Sequence, residues 1–171
     1  FTWGFCNEGY PTTYLTPELD LDGFLKQMES LNYDITDALL DLKLLFLEVP
    51  LESGRRYVDK LMESKAIWNG DITIIDAFDQ LLRNDVEFDS LLRAGGDDEK
   101  VISQRLISHL RKKITSGKTV ILLVDPKNLS EDSPAPFRSV ADVFFKLKLI
   151  DVGGSTRRTL DVKRFSGMGK Q

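Results

Sequence analysis

Three carboxylates stand where a chain of this kind can do chemistry: Glu18, Asp76 and Asp125. Each follows a short apolar or β-branched run. Glu18 comes just past Pro11 to Pro17, Asp76 closes Ile72-Thr73-Ile74-Ile75, and Asp125 closes Thr119 to Val124. Runs of this length between turn signals suit strands buried on both faces of a parallel sheet. The carboxyl ends of such strands are where open α/β folds place their ligands. An aspartate there can hold Mg²⁺, usually through water. It is also an ordinary way to begin a turn, and Glu18 has a second reading as an acidic residue favoured near a helix N-terminus.

Composition removes several other chemistries. The chain has 171 residues, with 23 Lys plus Arg against 27 Asp plus Glu, a net charge of −4. That balance argues against a generic nucleic-acid binder, though not against a local basic patch. Cys6 is the sole cysteine and His109 the sole histidine, so neither an internal disulfide nor a cysteine metal cluster can form. His109 lies within a helical pattern, which leaves a serine or cysteine triad without support. No apolar run approaches the ~20 residues that span a bilayer. Gly117-Lys118-Thr119 has the letters of a phosphate loop, but the first glycine of that motif falls on Lys112. The order of elements is also reversed, with a helix before and a strand after.

The elements that must position the three carboxylates follow from periodicity. Phe1 to Tyr10 reads as the end of an apolar helix with Gly9 as its C′ residue. Leu21, Phe24, Leu25, Met28 and Leu31 form a helical stripe, with Asp20 or Asp22 as cap, and a short helix spans Ile35 to Leu40. Leu42 to Val49 reads as a strand, Arg55 to Trp68 as a helix, and Ala77 to Leu82 as the exit from the strand before it. An acidic stretch between Asn84 and Lys100, containing Asp85, Asp89, Gly95-Gly96 and Asp97, lacks the spacing of a calcium loop and reads as a solvated or mobile loop leading into a helix. Glu99 to Thr115 is a helix and Thr119 to Val124 a strand buried on both faces. Ser130 to Pro136 is a loop, and Val140 to Leu149 is a strand that turns at Gly153-Gly154 into an alternating strand from Arg157 to Phe165. The predicted fold is α/β: a mostly parallel sheet flanked by helices, with an antiparallel hairpin at the C-terminal edge. From Asp151 onward, basic residues outnumber acidic ones, Arg164 among them.

This pattern resembles the three-layer core of the RecA/KaiC-like ATPases. Tyr14-Leu15-Thr16-Pro17-Glu18-Leu19, Phe24 to Met28, Asp71 to Asp76, Arg138 to Val143, and Gly153-Gly154 through Leu160 are similar to the archaeal flagellar (archaellum) accessory ATPase family FlaH. In order and spacing they run through nearly the whole chain. The resemblance implies one RecA/KaiC-like domain over residues 1–171, truncated at both ends, with its phosphate loop just upstream of Phe1. It makes Asp76 the aspartate that orients Mg²⁺ at the ATP phosphates, and Glu18 the carboxylate that polarises the attacking water. Asp125 becomes a sensor-strand residue near the γ-phosphate, and Arg164 a charge that reaches a neighbouring subunit's nucleotide. It further implies a ring-forming, cytoplasmic protein at the archaellum base, partnered by the motor ATPase and a membrane-embedded platform. ATP would act as a switch with slow or absent hydrolysis. Ala77, where relatives often carry Ser or Thr, and Ser166, where a basic residue is usual, both depart from the family pattern. Another KaiC-like ATPase with a signalling or DNA-related role, or a non-catalytic scaffold, are the alternative readings.

Overall fold

β-branched and apolar runs favour extended backbone, and the helical stretches between them force crossovers that return each strand parallel to the last. The computed structural model describes residues 1–88, 98–125, 127 and 135–165. Within them β1 (Thr12–Thr16), β2 (Leu44–Glu48), β3 (Ile72–Ile75) and β4 (Thr119–Leu122) form a parallel sheet in the order β2-β1-β3-β4. α1 (Thr2–Asn7) precedes β1, while α2 (Leu21–Ser30) and α3 (Thr36–Leu40) link β1 to β2. α4 (Tyr57–Glu63) leads to β3, and α5 (Phe78–Arg83) and α6 (Asp98–Thr115) lead to β4. After β4 come α7 (Ala135–Val140) and the hairpin of β5 (Val143–Val152) and β6 (Ser155–Phe165), which pair as a sheet of their own.

The two-residue period of a strand sends alternate side chains to opposite faces. Leu15, Ile75, Leu47 and Leu122 face one core with α4, α5 and α6, where Val58, Leu61, Phe78, Leu82 and Leu106 are buried. Tyr14, Ile72, Ile74 and Leu44 face the other core with Cys6 of α1, Phe24 of α2 and Ile35. The result is the predicted helix–sheet–helix layering. Capping is local and specific. Gly9 takes φ +86°, and its N–H and that of Tyr10 donate to the carbonyls of Cys6 and Phe5, closing α1. Asp20 caps α2 by accepting from the Gly23 N–H at 2.7 Å.

Several boundaries differ from the sequence expectation. The helix expected over Arg55 to Trp68 ends at Glu63, because Ser64 turns extended and the Trp68 indole donates to the Leu61 carbonyl at 2.7 Å. That ring nitrogen supplies the bond a further helical turn would have given. The stretch after Asp76 is helix α5 rather than a strand exit, since helical spacing buries Phe78, Leu81 and Leu82 together. Val140 ends α7 instead of opening a strand; helical geometry there brings Phe137 edge-on to Phe78, with ring centroids 5.3 Å apart. β4 is an edge strand of the described sheet and only half-buried, not enclosed on both faces. Asp85 is buried, not solvated: its carboxylate accepts from the N–H groups of Val58, Glu87 and Phe88 at 2.8, 2.9 and 3.1 Å. The expectations for Asp89, Gly95-Gly96, Asp97, residues 130–134 and the Gly-rich end past Phe165 lie outside the described residues.

Candidate functional site at the carboxyl ends of the parallel strands

β1 and β3 pair with Tyr14 opposite Ile74. Asp76 lies two residues beyond Ile74 and so shares Tyr14's face as its diagonal neighbour. The Tyr14 hydroxyl donates to Asp76 Oδ2. The phenol ring packs against both Phe24 and Phe46, at centroid distances of 4.9 and 5.9 Å, and those two rings are themselves 4.9 Å apart. Burial, the bond to Asp76 and the nearby negative charges push the phenol well above its usual pKa, so it remains a proton donor.

Glu18 stands just beyond β1, its N–H donating to Thr16 Oγ1 at 3.1 Å and its Oε1 accepting from Gln80 Nε2 of α5. The chain reaches α5 through Ala77, whose left-handed φ of 56° reverses the backbone, and the Phe78 N–H donates to the Leu123 carbonyl at 2.9 Å. Asp79, only 1% exposed, accepts the Asp125 N–H at 3.0 Å and thus ties the end of β4 to the start of α5. Desolvation raises the Glu18 pKa, and the charges of Asp76, Asp79 and Asp125 raise it further. Three of the four predicted residues, Glu18, Asp76 and Asp125, therefore share one electrostatic neighbourhood. Arg164 does not join them. It is an exposed residue of β6, paired with Phe144 in the separate hairpin sheet.

Tyr14, Asp79 and Gln80 were not identified as site residues from the sequence. Tyr14 reads there as one more strand aromatic, and only the β1–β3 register reveals its partner 62 positions away. Gln80 becomes visible once α5 is known to begin right after Asp76, because its position then projects toward the end of β1.

Among the described residues the side-chain donors to Glu18 and Asp76 are an amide and a phenol, which orient the carboxylates without cancelling their charge. A cation fits such a set. Among the described residues no group of three or more His, Cys, Asp or Glu converges to cage a metal directly. The chemistry matches Mg²⁺, which keeps most of its waters and uses one or two carboxylates together with phosphate oxygens.

No family model matches the sequence. Two curated relatives do: the archaeal flagellar ATP-binding protein FlaH of Methanocaldococcus jannaschii, 28% identical over 169 residues, and that of Methanococcus voltae, 26% identical over 167 residues. The matches cover 96% and 95% of this chain and 67% of each relative. The crystal structure of flagellar accessory protein FlaH from M. jannaschii superposes with a TM-score of 0.82 at 27% identity, over 96% of this chain and 70% of that one. A KaiC-like protein from Pyrococcus horikoshii superposes with a TM-score of 0.66 at 19% identity, again over 96% and 70%, a likeness of fold. Sheet order, helix layers and hairpin define a RecA/KaiC-like α/β domain. Within that class the chain is similar in sequence and fold to the archaeal flagellar accessory proteins named FlaH.

Proposed function

We propose that this chain forms part of an ATP-binding accessory protein of the archaellum, and that the carboxyl ends of β1, β3 and β4 are the magnesium side of its nucleotide site. The observation that carries this reading is the gathering of Glu18, Asp76 and Asp125 at adjacent strand ends in a chain whose relatives are named as ATP-binding. Bound Mg²⁺ would screen the phosphate charge. Asp76 would hold its waters, Glu18 would accept a hydrogen bond from a water beside the γ-phosphate, and Asp125 would border the phosphates at the end of β4.

ATP serves in this reading as an assembly switch with slow or absent hydrolysis. Ala77 supports that, bringing a methyl group rather than a hydroxyl beside Asp76. Arg164, on its separate sheet, would act at the nucleotide of a neighbouring subunit in a ring. Among the described residues no helix is long and apolar enough to cross a membrane. In this reading the motor ATPase and its membrane platform are its partners at the archaellum base. The test is Asp76→Asn in the full-length protein. Loss of Mg²⁺-dependent ATP binding and of motor assembly is expected. If both persist, Asp76 is a turn residue and the domain a scaffold.

A further inference from the structure

Asp76 needs more than its place at the end of β3 to present an oxygen in a fixed direction. The terminal torsion of an aspartate is broad and roughly two-fold, so an unrestrained carboxylate swings. Tyr14 removes that freedom. Its ring packs into a three-ring cluster with Phe24 and Phe46, and its hydroxyl donates to Asp76 Oδ2. Packing alone would be served by phenylalanine, as at its two neighbours. The hydroxyl is the one polar atom that this aromatic cluster sends to the strand ends. Being neutral, it fixes Asp76 without neutralising it, as an arginine or lysine would.

We infer that Tyr14 is a positioning residue for metal binding: its hydroxyl occupies Asp76 Oδ2 and so aims Oδ1 at the hydrated Mg²⁺ of the nucleotide. This rests on the nucleotide-site reading above and adds to it a residue outside the three strand-end carboxylates. Outer-shell partners of metal-binding side chains typically change metal affinity by about 10–100-fold when removed.

The experiment titrates Mg²⁺ at fixed ATP into the full-length protein, reading nucleotide binding by calorimetry, with a parallel set in EDTA. It compares wild type, Tyr14→Phe, Asp76→Asn and the double variant. Tyr14→Phe is expected to raise the Mg²⁺ midpoint about tenfold while leaving the affinity in EDTA unchanged. In the Asp76→Asn background the same substitution should change nothing further, which a general loosening of the fold would not reproduce. An unmoved midpoint in Tyr14→Phe, or an equal additional loss in the double variant, overturns the role of Tyr14 and leaves the nucleotide site standing if Asp76→Asn loses its Mg²⁺ dependence. If wild type binds ATP equally with Mg²⁺ and EDTA, the nucleotide-site reading falls and takes the inference with it.

Discussion

The two ends of the parallel sheet are built on opposite principles. At the amino end, Lys118 Nζ donates to the Gly70 carbonyl at 2.8 Å and the Asn69 carbonyl at 3.2 Å, and lies 3.8 Å from the Asp71 carboxylate. The Asp71 and Ile72 N–H groups both donate to the Pro11 carbonyl, and Thr119 N–H to that of Asp71. A cation there answers carbonyls and a carboxylate together. At the carboxyl end, among the described residues, the hydrogen bonds that reach Asp76 and Glu18 come from neutral side chains, and the pKa of Glu18 is raised by partial desolvation and by three acidic neighbours. One end spends its polar groups on holding strands together. The other gathers three carboxylates, the charge that the proposed Mg²⁺ site would use.

Variants at each end sharpen this contrast. The largest effect falls at the amino end. A Cβ on Gly70 would sit 2.7 Å from the Pro11 carbonyl oxygen, which is backbone and cannot step aside. Gly70→Ala is expected to cost about 3 kcal/mol in urea unfolding, with the Mg²⁺ dependence of nucleotide binding unaltered in the folded fraction. A cost near zero would mean that the amino end is loosely built. Asp79→Ala, which strips the Asp125 N–H of its acceptor, should cost about 2 kcal/mol. Because it releases the end of β4, it should weaken Mg²⁺-ATP binding as well. Lys118→Met should cost about 1 kcal/mol through the carbonyls it leaves unanswered.

The smallest effect has the opposite sign. Glu18 binds its proton more tightly in the folded than in the unfolded chain, so its contribution to stability falls as pH rises from the ordinary glutamate value through the raised one. Glu18→Gln removes that part of the slope. It should stabilise the metal-free protein near neutral pH by at most about 0.5 kcal/mol, since the side chain is exposed and screened. Urea midpoints measured across the acidic range check it. A loss of stability at neutral pH would contradict the uncompensated charge.

Much of this was legible in the sequence. β1 and β3, buried on both faces, leave uninterrupted apolar or β-branched runs, and the carboxylates that follow them, Glu18 and Asp76, stand out against those runs. The hidden parts depend on pairings between distant positions. Tyr14 meets Asp76, and Gln80 meets Glu18, across 62 residues through the β1–β3 register. Asp85 was masked by the acids around it, although its carboxylate answers three backbone N–H groups. The end of α4 turned on one indole hydrogen bond from Trp68, which no local periodicity encodes.

The central claim is tested most directly by comparing one variant from each end in a single assay: ATP affinity of the full-length protein with Mg²⁺ and with EDTA, for Lys118→Met and Asp76→Asn. The account predicts that Lys118→Met melts at a lower temperature yet keeps the wild-type gain in affinity from Mg²⁺. Asp76→Asn should melt close to wild type and lose that gain. Retention of the gain in Asp76→Asn, or its loss in Lys118→Met, would contradict the division of the sheet into a structural and a cation-binding end.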